Sequence, residues 1–256
     1  MKFRVILLLL ITIAQQTLCA QSNGLSGTQQ AAVNKLIRAA ESGDKRQIAA
    51  MVMYPLRRTY PLADVKNRAE MRTRFDAVFD GELLRRIARS KTEDWSAVGW
   101  RGLMLNNGLI WMNDAGSITA INYQSEKERA LLERAIQKDK QQLPPFLRQF
   151  NRPLYKIITK HYRIRIDELA GDQLRYTCWS LKNGKKEPDL VLYNGVFEAQ
   201  GTGGNHSITF ANNLYRYVIS VNRLGTSETP ESVLTVYKQE KILLKDPGKI
   251  ITNEYR

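Results

Sequence analysis

Any chemistry in this chain has to come from a short set of side chains. It has two histidines, His161 and His206, and two cysteines, Cys19 and Cys178. A nucleophilic thiol needs a base within hydrogen-bond reach and a third group that orients the base. Here that means Cys178 with His161 or His206, and Asn205 as the orienting group. Strand alternation points elsewhere, because Cys178 shares a face with Leu174 and Tyr176 and so reads as an inert core thiol. Two histidines far apart in sequence, with one thiol, match no metal-ligand spacing. The neighbouring carboxylates Glu93-Asp94 and Asp167-Glu168 point apart and make no acid/base dyad. The sequence therefore names no catalytic residue, no metal ligand and no cofactor.

Two places suit binding better. Gly201-Thr202-Gly203-Gly204-Asn205-His206 lets backbone amides approach an anion, and His206 adds a contact whose charge is tunable near neutral pH. The segment has neither the lysine nor the following helix of a phosphate loop, so a wide hairpin loop is the plainer reading. Gly203, Gly204, Asn205 and His206 are its candidate ligand contacts. Trp100, Trp111 and Tyr123 form the second set, lining a pocket or a protein-binding face if they are not simply core.

The elements that must position these residues fall into two regions. Gly99 to Tyr123 is punctuated by Asn107-Gly108 and Ala115-Gly116, which predicts a three-stranded meander. Alternation sets Trp100, Gly102 and Met104 opposite Arg101, Leu103 and Leu105, and sets Leu109 and Trp111 opposite Ile110 and Met112. Both faces are largely apolar, so the sheet is expected to be covered on both sides. Before it, Ser26 or Thr28 caps a helix with Val33, Leu36, Ile37 and Ala40 on one stripe, Gly43 stops it, and Asp44 caps the next. Tyr54 to Tyr60 is a candidate edge strand. Asn67 and Glu70 resemble a capping box opening a helix that Gly81 breaks, and Leu83, Leu84 and Ile87 give a further short helix. Behind the meander, Ser125 and Glu128 open a helix with Leu131, Leu132, Ala135 and Ile136 at helical spacing.

From Leu154 onward the pattern is β. Tyr162, Ile164 and Ile166 alternate with Arg163 and Arg165, and Leu174, Tyr176 and Cys178 with Arg175, Thr177 and Trp179. Asn183-Gly184, Asn194-Gly195 and Asn212-Asn213 supply turns, and about eight short strands argue for an antiparallel sandwich or barrel.

The amino terminus reads as an export signal over residues 1–20: a basic start at Lys2 and Arg4, an apolar block from Val5 to Ala14, and cleavage near Ala20. Cys19 then leaves with the signal, no intrachain disulfide is possible, and a periplasmic or secreted bacterial protein without a membrane span is expected. Losing Lys2 and Arg4 takes the formal charge from +14 to +12. The excess is spread along the chain with no basic arm, which argues against nucleic acid and suits an anionic envelope component or an acidic protein partner.

Two helices, a short strand around Tyr54-Pro55-Leu56, more helix around Phe75 and Phe79, then a meander containing Trp100-Arg101-Gly102 and Gly108-Leu109-Ile110-Trp111 resemble the NTF2-like (SnoaL, cystatin-like) group over about residues 25–140. The resemblance implies a helix-wrapped curved sheet over 21–145, followed by the antiparallel β domain at 154–256. It also implies a cone in which enzymes of the group place carboxylates, histidines or tyrosines. This meander carries Arg101 and Tyr123 but no carboxylate or histidine in a strand. The functional expectation is an exported, non-enzymatic binding protein, an inhibitor or immunity protein against a toxin or hydrolase. Its alternatives are a small-ligand carrier or enzyme using the cone, and a structural envelope component.

Overall fold

The computed structural model describes residues 24–182 and 184–251. The expected export signal, and Asn183 of the expected Asn183-Gly184 turn, lie outside them. The described chain is α+β, with five α-helices and a large curled antiparallel sheet. None of its helices is long and apolar enough to cross a membrane.

Each of the five α-helices starts at a side-chain cap. Ser26 opens α1 (Gly27–Glu41) with a capping box to Gln29, and Asp44 opens α2 (Lys45–Met51). Asn67 opens α3 (Arg68–Val78) and Asp80 opens α4 (Gly81–Arg89). Gly81 thus begins a helix rather than ending one, because the Asp80 carboxylate accepts from the Leu83 amide at 2.9 Å. Val33, Leu36, Ile48, Met71, Phe75, Val78, Phe79, Leu83 and Ile87 all reach one core. Tyr54–Tyr60 forms no strand. Leu56 instead makes a single bridge to Val65 and closes a loop over residues 57–64.

The meander has four strands, because Trp95 to Ala97 adds one at its start: β1 (Trp95–Ala97), β2 (Leu103–Leu105), β3 (Ile110–Met112) and β4 (Ile118–Ile121), paired in that order. Trp100 is not in a strand. It lies in a short 3-10 turn between Gly99 and Gly102, both at positive φ. A Cβ on Gly102 would fall 2.2 Å from the Met112 carbonyl, so glycine lets these two backbones meet. Leu103, Leu105, Ile110, Met112 and Ile118 are buried against the helices. On the second face Met104, Trp111 and Ala120 are half-buried among the described residues, with the Arg101 guanidinium 5.6 Å from the Trp111 ring.

α5 (Glu126–Gln141) follows, capped by Ser125, whose hydroxyl also donates to the Ala77 carbonyl at 2.6 Å. Nine strands then form a single sheet: β5 (Arg152–Thr159), β6 (Tyr162–Glu168), β7 (Leu174–Ser180), β8 (Leu190–Leu192), β9 (Val196–Gln200), β10 (Asn205–Asn212), β11 (Tyr215–Val221), β12 (Ser232–Lys238) and β13 (Lys241–Ile250). The spatial order is β8-β7-β6-β5-β13-β12-β11-β10-β9. Strands at opposite edges, β8 and β9, are joined by residues 193–195 alone, so the sheet has to curl into a half-barrel. The Gly195 amide reaches the Leu174 carbonyl at 3.3 Å, and a Cβ on Gly195 would meet the Phe210 ring at 2.4 Å. Ile164, Ile166, Tyr176, Cys178, Ile208, Phe210, Ile219 and Val221 fill the concave face.

The other face of β5 to β7, with its alternating basic residues, is not solvated. α5 and residues 145–150 cover it, and an alternating ladder of buried charge fills the join. The Lys156 ammonium meets Asp139, whose other oxygen lies 2.6 Å from Arg165. Arg165 reaches Asp167 at 2.7 Å, and Asp167 reaches Arg175 at 2.7 Å. α5 accordingly buries Glu128, Asp139 and Ile136 while Leu131, expected on its apolar stripe, is exposed. Burial alone would raise the Asp139 carboxyl, but Arg165 and then Lys156 outweigh it and hold it below its ordinary value of 3.8. A carboxyl depressed in the folded state stabilises fully above its ordinary value and loses that contribution as the pH falls through the depressed one. The urea midpoint will therefore drop as the pH is taken below 3.8, and Asp139→Asn will flatten that part of the profile.

Candidate functional site

A cleft of about 810 Å³ lies between the loop closed by Leu56 and Val65 and one rim of the half-barrel. The loop is a roof tied down on several sides. Arg58 and Asp64 tie its two arms, the Asp64 carboxylate accepting from the Arg58 amide at 3.0 Å. The Arg58 side chain turns inward, 2% exposed, and pairs with Glu128 of α5, itself 2% exposed. It also donates to the carbonyls of Ile121 at 2.8 Å and Tyr123 at 2.9 Å. Arg74 and Gln124 add hydrogen bonds to Ala63 and Thr59. A planar fork with five donors satisfies this many acceptors at once, which an ammonium does not.

The floor is the end of the half-barrel where β5 presents Leu154 and Tyr155, β7 presents Leu174 and Asn222 follows β11, with Phe197 and Ile208 behind. Most of the acids are engaged. Glu168 accepts from Nε and Nη2 of Arg152, and Glu231 accepts from the Ile250 amide at 2.8 Å. Arg223 is different: among the described residues its guanidinium reaches only the Tyr155 hydroxyl, at 3.4 Å, and lies 5.6 Å from the Tyr155 ring.

A directional chain of hydrogen bonds continues from that contact. Nδ1 of His206 faces the Gly204 carbonyl at 2.9 Å, and a carbonyl only accepts, so Nδ1 carries the proton. Burial lowers the pKa of His206, the Gly204 carbonyl raises it and Arg223 lowers it, and the net effect is downward. Neutral His206 then accepts at Nε2 from the Tyr155 hydroxyl at 2.9 Å, leaving the Tyr155 oxygen to accept from Arg223.

The candidates from sequence part company here. His206 stands just behind the cleft floor, its ring 4.8 Å from Phe197. Asn205 acts on the backbone: its Oδ1 accepts from the amides of Arg223 and Leu224 at 2.7 and 2.8 Å and so sets the position of Arg223. Gly203 and Gly204 belong to the turn between β9 and β10, with Leu224 packed where a Gly203 side chain would stand. Trp100, 69% exposed, Trp111 and Tyr123 are not among the cleft residues. The Tyr123 hydroxyl donates to Asp80 at 2.8 Å, and burial together with Asp80 pushes it up to about 12.

No family model, curated protein or solved structure matches this chain. The site therefore has to be read from its own geometry. Among the described residues, no group of three or more histidine, cysteine, aspartate or glutamate side chains could hold a metal ion. His161 pairs with Asp246 at 3.0 Å, and His206 with Tyr155, so each imidazole has a partner other than the thiol. Burial pushes Cys178 up to about 11, against a smaller lowering by Tyr176. In a Cys19→Ser chain, iodoacetamide will label Cys178 only on unfolding. Mass spectrometry in native buffer and in denaturant reads this directly, and rapid native labelling would contradict it.

Arg58, Tyr155 and Arg223 escape sequence reasoning. The only local signal is Arg57-Arg58 between Pro55 and Pro61, which marks a punctuated loop but not its partner.

Proposed function

We propose that this chain is an exported, non-enzymatic binding protein of the bacterial envelope that takes a small ligand in the cleft between the Leu56–Val65 loop and the half-barrel rim. One observation carries the reading. The cleft has the size and mixed apolar and polar lining of a ligand site, and a buried ion pair holds its roof in place before any ligand arrives. The ligand-carrier alternative thereby moves from the cone of the first region to the rim. The first region is filled by its own apolar core, and in this reading an NTF2-like fold there acts as the support that presents the loop. The basic start and apolar block of the amino-terminal sequence support the export part of the reading, and the basic balance of the chain suits an anionic ligand or surface.

A second reading, a protein inhibitor or immunity protein, draws on β9. All five of its residues are exposed at a sheet edge, Val196 and Phe197 among them, and a free edge is able to pair with a partner strand.

Nile red, a neutral apolar dye, tests the cleft. The chain will bind one equivalent with a blue-shifted emission, and Leu62→Trp and Leu154→Trp, which fill the cleft from opposite walls, will each abolish it with unchanged thermal unfolding. Binding that survives both substitutions would place the dye elsewhere and remove the reading.

A further inference from the structure

Resting on the cleft reading, we propose that the ligand is an amphiphile with an anionic head, the head held by Arg223 and the tail lying along Leu154, Leu174 and Phe197. The argument begins with charge. Of the lining carboxylates, Glu168 is ion-paired with Arg152, while Asp64 and Glu231 keep their charge and are held by backbone amides, of Arg58 and Ile250, instead of by a lining guanidinium. Asp172 is exposed at the margin. On the basic side, Arg58 and Arg152 are paired with Glu128 and Glu168. Arg223 has no carboxylate within ion-pair range among the described residues, and neither has Arg57 on the roof above.

Arg223 is also pre-positioned. Asn205 fixes its backbone, and the ring of Tyr155 lies beside its guanidinium. The Tyr155 hydroxyl already donates to His206, so it presents lone pairs to Arg223 and does not compete for an incoming anion. The guanidinium keeps donors in its planar fork for a carboxylate or phosphate, geometry that such heads match two oxygens at a time. Next to it the walls turn apolar, which a fully hydrophilic anion would not use and a hydrocarbon tail would.

Four ligands with the same dodecyl tail and four heads decide it by displacement of Nile red: tridecanoate, dodecyl phosphate, dodecanol and dodecyltrimethylammonium. We expect at least one of the two anions to bind about tenfold or more tightly than dodecanol, as a charge-assisted hydrogen bond requires, and the ammonium to bind weakest. Tridecanoate ahead of dodecyl phosphate assigns a fatty-acid-type carboxylate, and the reverse order a phosphate head. Arg223→Gln will bring the anions to the level of dodecanol while dodecanol and the dye bind as before. Arg223→Lys will restore part of the preference. If anions and dodecanol bind within twofold of each other in the unaltered chain, the head-group assignment is overturned and the cleft stands. If Nile red and all four ligands fail to bind, the cleft reading itself falls. Should Arg223→Gln not fold, the head-group series on the unaltered chain still decides between these outcomes.

Discussion

Asp167→Ala will destabilise the folded chain by about 3–5 kcal/mol, the cost of leaving buried charge without its partner. Asp167 is 0% exposed and each of its oxygens faces a different guanidinium, Arg165 at 2.7 Å and Arg175 at 2.7 Å. Arg165 retains Asp139 after the substitution, but Arg175 keeps only carbonyl acceptors, of which Leu147 at 2.6 Å is the nearer. A neutral carbonyl does not offset a buried cation. The double variant Asp167→Leu with Arg175→Met removes both signs and fills similar volume, so it will be less destabilised than Asp167→Ala alone. Urea unfolding of the three chains checks the order. A loss under about 1 kcal/mol for Asp167→Ala would mean that water reaches the ladder.

Arg58→Ala is the second large effect, again about 3–5 kcal/mol for a broken buried pair, with a functional consequence that the first variant lacks. Glu128 would be left buried in the first turn of α5, and the carbonyls of Ile121 and Tyr123 would lose their donor. The roof loop would also lose its inward anchor. Amide exchange at Leu56 and Val65, protected by their mutual hydrogen bonds at 2.8 and 2.9 Å, will speed up well beyond the global change, and Nile red binding will weaken. Arg58→Lys will recover only part of both, since an ammonium carries the charge without the fork. Unchanged exchange at those two amides would show that the loop holds without Arg58.

Helix starts are legible in the sequence because a cap is a local device: Ser26, Asp44, Asn67 and Ser125 act within three residues. Strand alternation is equally readable, since which side of β6 and β7 holds Ile164 or Tyr176 follows from the pleat alone. What covers each side is not. Arg165 and Arg175 have the pattern of a wetted face, and only the placement of α5 turns that face into an interior. The inward side of α5 differs from its apolar stripe for the same reason. Leu131 scores as apolar, but the surface opposite is cationic, so Asp139 goes in and Leu131 stays out. At the candidate site, His206 is visible as an unusual residue in a glycine-rich turn, whereas Arg223 and Arg58 act through partners far along the chain that no spacing rule reaches. β13 runs through Pro247-Gly248 without a break. At Pro247 the strand pairs with β12 alone, and β5 joins only from Gly248, so the missing amide goes unneeded where it falls.

The arrangement of the large sheet has a consequence for how it assembles. Most neighbouring strands are consecutive in the chain and zip as hairpins with little loop-closure entropy, but β5 and β13 meet at Thr159 and Gly248 across the whole intervening meander. That seam is the most non-local pairing in the sheet, and contacts of this kind are slow to form. The topology thus predicts two ribbons, β5 to β8 and β9 to β13, that form first and a β5–β13 seam that closes last, with the short 193–195 link joining them.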